Sequence, residues 1–176
     1  MPMSLHEATI PGFLQTIGAV RGLLDKVDSH VASGAGGEEE LLSARLAPDM
    51  LPFSYQVKSV WTHSALAVER CFDGRFSPHM DPPPRSVGDL RALLDEGVQS
   101  LRAVSPEALE DVAERPMVFT IGEALRLDFT VQNFLLSFSQ PNCHFHAATA
   151  YALLRMQGLP IGKRDYMGKM RVGLPG

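Results

Sequence analysis

The sequence predicts an all-α fold, a four-helix bundle with a small β-hairpin in the crossover before the last helix. Three observations predict it. Four long segments repeat apolar residues at steps of three and four, which is the signature of an amphipathic helix. One short stretch, 117–129, changes to a period of two. Clusters of glycine and proline separate these segments. Helices that are apolar on one side only bury their stripes against one another, and four of them make a bundle. The 176 residues suit one domain over 1–176, large enough to bury a core without disulfides.

The first helix is expected from about Leu5 to His30. Ser4 and Glu7 have capping-box spacing, and Ile10, Phe13, Ile17, Val20, Leu24 and Val27 form the stripe. Pro11 predicts a kink or a delayed start. Gly34 to Gly37 and the acidic run Glu38 to Glu40 read as an exposed loop. Pro48 ends the next short segment, and Asp49 is the expected cap of a second helix from about Leu51 to Cys71. Its stripe is Phe53, Val57, Val60, Ala67 and Cys71, with Gln56 and His63 two turns apart on a neighbouring face. Gly74 and Pro82 to Pro84 break the chain again. Ser86 and Asp89 cap a third helix, 87–104, lined by Val87, Leu90, Leu94 and Leu101. Ser105-Pro-Glu starts a short turn. The alternation of Leu125, Leu127 and Phe129 with Arg126 and Asp128 marks the hairpin. Thr130 caps the last helix, which runs to about Gln157. Pro141 predicts a kink or a wider turn inside it, and Gly158 stops it.

Composition narrows the function classes. Hydrophobic residues are 45%, charged residues 20% and the formal charge is −4. A nucleic-acid binder would show a basic stripe, and none is present. No apolar run reaches the roughly 18 residues of a membrane span. The first residues, Met-Pro-Met-Ser-Leu-His-Glu, lack a basic segment followed by an apolar one, unlike a signal peptide. Cys71 and Cys143 have no metal-binding spacing and read as reduced, buried thiols, so a cytoplasmic location is expected. No phosphate-binding loop, nucleophile elbow or His-Glu-x-x-His is present. Ser54, Ser59 and Ser64 have no base at a diagnostic spacing.

The candidate site lies on the last helix. Asn142, His146 and Thr149 share a stripe with Phe138 and Leu153, and polar groups on a core-facing stripe must find partners. Gln56 on the second helix joins them as lining of a pocket for a small polar ligand. His146 is a candidate metal ligand or general base, because imidazole titrates near neutral pH, weighed against a core histidine hydrogen-bonded to Asn142, Gln56 or water. His63 is a second candidate ligand, weighed against a surface histidine. His144 points about 200° away from His146 on a helix and cannot chelate with it. Arg155, Lys163 and Arg164 are a candidate anion site, weighed against a charged corner that docks the C-terminal segment on Asp49 or Asp165.

Three segments carry a resemblance: Ala44-Arg-Leu-Ala-Pro-Asp-Met50, Phe145-His-Ala-Ala-Thr-Ala-Tyr-Ala-Leu-Leu-Arg155 with Gly158, and Ile161-Gly-Lys-Arg-Asp-Tyr166. With the predicted architecture they resemble the DinB-like, or YfiT-like, bundle superfamily, in a bacterial branch known only as a domain of unknown function. The resemblance implies a homodimer. In the wider superfamily it also implies a divalent metal, zinc or nickel, held by one histidine of the second helix and two of the last, four residues apart. Some of those members transfer small thiols or hydrolyse small substrates. Those ligand positions fall here near Gln56 and on Asn142 and His146, so one of three is a histidine. Amide oxygens are weak ligands for zinc-type metals. The expectation is therefore a pocket-bearing bundle that binds a small ligand or acts as a dimeric interaction module. The alternative is a metal-dependent enzyme on small substrates, with His146 as ligand and its catalytic residues unassigned.

Overall fold

Capping chemistry starts the first helix where the sequence places it. In the structure, a computed structural model that describes residues 3–173, α1 is Leu5–Ala32. The ends of the domain expected over 1–176 lie outside the described residues. The Ser4 hydroxyl accepts the Glu7 amide at 3.1 Å, and the Glu7 carboxylate accepts the Ser4 amide at 3.0 Å. All six residues of the expected stripe are buried. Pro11 does not delay the helix, which runs through it from Leu5. Glu7, whose carbonyl Pro11 leaves without a helical donor, is exposed, where water replaces the lost bond.

The acidic run is helical, contrary to expectation. Glu38–Ser43 forms α2, with three glutamates in its first turn. Carboxylates there oppose the positive end of the helix, which explains how so charged a segment folds. The second bundle helix starts at Phe53, with Pro52 at its cap, and not at Leu51; Asp49 is no cap. It comprises α3, Phe53–Trp61, a π-helical turn at Thr62–Leu66, and α4, Ala67–Cys71. The expected stripe from Phe53 to Cys71 is buried throughout.

After α4 a two-residue strand β1, Arg75–Phe76, precedes α5, Val87–Arg102, and α6, Pro106–Val112. Ser86 caps α5 by accepting the Asp89 amide at 3.0 Å, as expected. The hairpin is present as β2, Pro116–Ile121, and β3, Leu125–Thr130, antiparallel with Met117 opposite Phe129. The sequence hid β1, which adds a parallel edge through Phe76 opposite Phe119. Gly74 (φ +68°) turns the chain into it, and a Cβ there would lie 3.0 Å from the Pro116 carbonyl oxygen. Only glycine accepts that turn without strain.

The last bundle helix begins with α7, Val131–Asn133, capped by Thr130 as expected. A second π-helical turn, Phe134–Ser139, leads into α8, Gln140–Met156, with Pro141 in its first turn. Proline has no amide hydrogen, so the ladder must change register nearby, and the wider turn accommodates that change. Gly158 ends α8 in the left-handed conformation (φ +83°). Its amide bonds to the Arg155 carbonyl and that of Leu159 to the Leu154 carbonyl, both at 3.1 Å, a Schellman closure. A short α9, Lys163–Met167, then packs against α1. Four long helical rods, α1, α3–α4, α5 and α7–α8, enclose one continuous core, and the sheet covers one part of it. Among the described residues, no helix is long and apolar enough to cross a membrane.

Candidate functional site

The two π-helical turns meet. The Ser139 hydroxyl, fully buried in the second, donates to the His63 carbonyl in the first at 2.7 Å. This contact places His63 beside the last helix. A π turn inserts an extra residue and rotates the rest of the helix about its axis, and such turns are common where a side chain is aimed at a site.

His63 is 9% exposed and so is not the surface histidine that a regular helix allows. Its ring lies parallel to that of His146, with centroids 5.5 Å apart and planes 7° apart. Phe76 and Phe138 complete its surroundings at 5.9 and 5.8 Å. Its Nδ1 has no hydrogen-bond partner, alone among the buried side-chain polar atoms of the described residues. Burial, then the neighbouring His146, pushes the His63 pKa down to about 3.

His146 is partly buried on α8, edge-on to Tyr55 and Phe145. Its Nδ1 lies 2.7 Å from Gln56 Oε1. The Gln56 amide nitrogen donates to the Leu51 carbonyl at 2.9 Å, which fixes the amide's orientation. An amide oxygen can only accept, so His146 Nδ1 carries the proton and Nε2 keeps its lone pair. Burial pushes the His146 pKa down to about 4. Both imidazoles are therefore neutral at neutral pH.

The structure thus brings Gln56, His63 and His146 together. Asn142 and Thr149 bond within their own helix instead, to the carbonyls of Phe138 (2.7 Å) and Phe145 (2.8 Å). His144 is exposed. At the C-terminal corner, Arg155 Nη1 donates to the carbonyls of Ile161 (2.9 Å) and Leu159 (3.5 Å), holding the segment after α8. Asp165 accepts the Gly162 amide at 2.7 Å. Lys163 and Arg164 are exposed on α9. Both cysteines are free and buried, and burial pushes both thiols up to about 12, so neither serves as a thiolate.

A three-imidazole metal centre does not fit these donors. Among the described residues no group of three His, Cys, Asp or Glu could hold a metal. The Gln56 oxygen and His146 Nδ1 are already paired, and Asn142, whose nitrogen donates to the Phe138 carbonyl, offers only a neutral amide oxygen, a weak ligand for zinc-type metals. What remains is two neutral imidazoles packed among aromatic rings: His146, whose Nε2 is an acceptor, and His63, whose sealed Nδ1 has no partner.

A bundle of four helical rods with a hairpin crossover before the last is a DinB-like fold. A crystal structure of a DinB family member from Shewanella denitrificans has the same fold, with a TM-score of 0.80, covering 97% of this chain and 96% of that one at 24% identity. The family model of a domain of unknown function, DUF1993, matches residues 5–167, so the chain belongs to that family. No curated protein matches the sequence.

Proposed function

We propose that this chain is a small-ligand-binding bundle whose recognition group is Gln56, His63 and His146, without a resident zinc or nickel. The observation that carries the reading is the unpartnered Nδ1 of buried His63. An orphaned polar atom in a core costs about 1–3 kcal/mol. An apolar residue there would avoid that cost, so its presence argues for a partner that reaches the sealed nitrogen when the wall around His63 opens. His146, held in one tautomer through Gln56 and Leu51, offers a second acceptor at Nε2. Together they suit a flat ligand with hydrogen-bond donors.

The chemistry of the donor set sets this reading apart from a metal-dependent enzyme. Elemental analysis of untagged protein is expected to show far less than one metal per chain. Zinc, nickel and manganese are expected to leave the melting temperature unchanged. About one metal per chain, lost in His146→Ala, would overturn the proposal in favour of a thiol- or amide-directed metalloenzyme. The proposal includes a homodimer, supported by exposed apolar residues such as Phe72, Phe145 and Met156. Phe76, in strand β1, is buried and contributes nothing to such a surface. Sedimentation of the same preparation at two concentrations tests that assembly. Free, buried thiols support a reducing compartment, the cytoplasm.

A further inference from the structure

A second site lies at the start of α3. A cleft of about 730 Å³ opens between α2, the α3 N-terminus and the proline run before α5, and neither His63 nor His146 lines it. The α3 N-terminus has no side-chain cap. The Phe53 amide bonds to the Ala44 carbonyl and the Gln56 amide to the Pro52 carbonyl. The amides between them, of Ser54 and Tyr55, have no acceptor among the described residues, because Pro52 offers no side-chain oxygen. The other long helix that starts at this cleft is treated differently. In α5 the Val87 amide donates to Glu38 at 2.7 Å and the Asp89 amide to Ser86.

Ser54 supplies the independent observation. It lines the cleft, is only 7% exposed, and its hydroxyl makes no hydrogen bond to the described residues. The oxygen is not among the sealed polar atoms, so what remains accessible faces the cleft. Two arginines, Arg45 and Arg85, line the same space. Arg45 is anchored by one nitrogen to the Met50 carbonyl; Arg85 is exposed and has no ion pair among the described residues. Glu38, already held by the Val87 amide, and Glu39 line it too. The formal charges cancel, and the open helix end tips the balance to positive. Leu42 and Pro82–Pro84 give the cleft an apolar wall. The buried Lys58, one turn beyond Ser54, fixes that wall by donating to the His79 (3.0 Å) and Asp81 (2.5 Å) carbonyls.

We infer that this cleft binds a small organic oxyanion, a carboxylate or phosphate monoester carried on an apolar body. The oxyanion sits on the Ser54 and Tyr55 amides and the Ser54 hydroxyl, with Arg85 beside it. Helix N-termini with free amides suit such groups, and charge-assisted bonds supply the strength. The site is independent of the histidine pair.

The test uses the whole chain, ¹⁵N-labelled, titrated with phenyl phosphate, benzoate, inorganic phosphate and uncharged benzyl alcohol. Phenyl phosphate or benzoate is expected to shift the Ser54 and Tyr55 amide resonances saturably. Whichever binds more tightly identifies the oxyanion class. Arg85→Gln, on an exposed residue, is expected to weaken binding about tenfold. Ser54→Asp places a fixed carboxylate at the helix end and is expected to abolish binding without lowering stability. No saturable shift with either anion, equal binding of benzyl alcohol, or shifts unchanged in both variants would overturn the proposal. A response to inorganic phosphate alone, with none to the organic anions, would show an adventitious ion only and would overturn it too.

Discussion

His63 is the residue at which stability and the proposed site pull apart. Its folded pKa, about 3, lies below the ordinary histidine value, and that of His146 is about 4. For a base depressed by folding, the unfolded chain binds more protons, so stability rises with pH. The contribution is complete above about pH 6.5 and falls as the pH drops through the window down to the folded values, by up to about 1.4 kcal/mol per pH unit for each histidine. His63→Phe removes one of these groups and the orphaned nitrogen, within a cavity already lined by Phe76 and Phe138. Urea denaturation at pH 7 is expected to show that variant more stable by about 1 kcal/mol, with a shallower loss between pH 6.5 and 4.5. A destabilised variant with unchanged acid sensitivity would mean that His63 is an ordinary packed residue. The nearness of Gln56 to His146 came from the family resemblance, which puts both at the superfamily's ligand positions; helix faces alone do not pair residues of two helices. The burial of His63 was not legible in the sequence. The period of 3.6 residues per turn puts it on the face of Gln56, beside the apolar stripe, and what closes that face is the packing of β1 and the last helix, a long-range contact the local pattern does not show. Asn142 and Thr149 lie on the expected stripe, but short polar side chains on a helix readily bond back to the carbonyl four residues earlier.

Among the elements, the contact between α3 and α5 is the tightest constraint. A Cβ on Gly97 of α5 would lie 2.8 Å from Trp61 Cδ1 and 3.2 Å from the Ala65 Cβ. The helices approach as closely as they do because that position carries no side chain. Gly97→Ala gains about 1 kcal/mol of helix propensity, yet overpacking costs about 1–3 kcal/mol. The net expectation is a lower urea midpoint. Gly22→Ala on α1 meets nothing within 4 Å and is expected to raise it by the propensity gain alone. Should both variants shift the midpoint upward, the two helices are not in close contact at Trp61. The long helices could be read from their stripes and caps, since apolar period and N-cap chemistry are local properties. The strand β1 could not, because two residues, Arg75 and Phe76, carry no period, and their pairing with Val118 and Phe119 is set by a partner more than forty residues away. The helix α2 was hidden by its three glutamates, which favour a helix at its N-terminus as readily as they favour solvent.

At the scale of the whole molecule, the sheet and the bundle share one core. Phe119 of β2 packs on Phe138 of the second π turn at a centroid distance of 4.6 Å and on Phe76 of β1 at 5.9 Å. Phe76 in turn touches His63 and Phe134. The hairpin therefore forms a wall of the candidate site, packed into the same apolar cluster as the helices. Phe119, 3% exposed, is the test of that unity. Phe119→Ala is expected to destabilise the chain by about 3–5 kcal/mol. Trp61, the sole tryptophan, sits at the α3–α5 contact outside the phenylalanine cluster and reports on the bundle through its fluorescence. In a single cooperative unit the fluorescence midpoint of the variant moves as far as the circular-dichroism midpoint. If the sheet were a separate appendage, Phe119→Ala would leave the Trp61 transition where it was, and the wall around His63 could open without unfolding the bundle. Coincident shifts would mean instead that the ligand site is as rigid as the core that holds it, so that access must come from the side of His146, the partly exposed member of the pair.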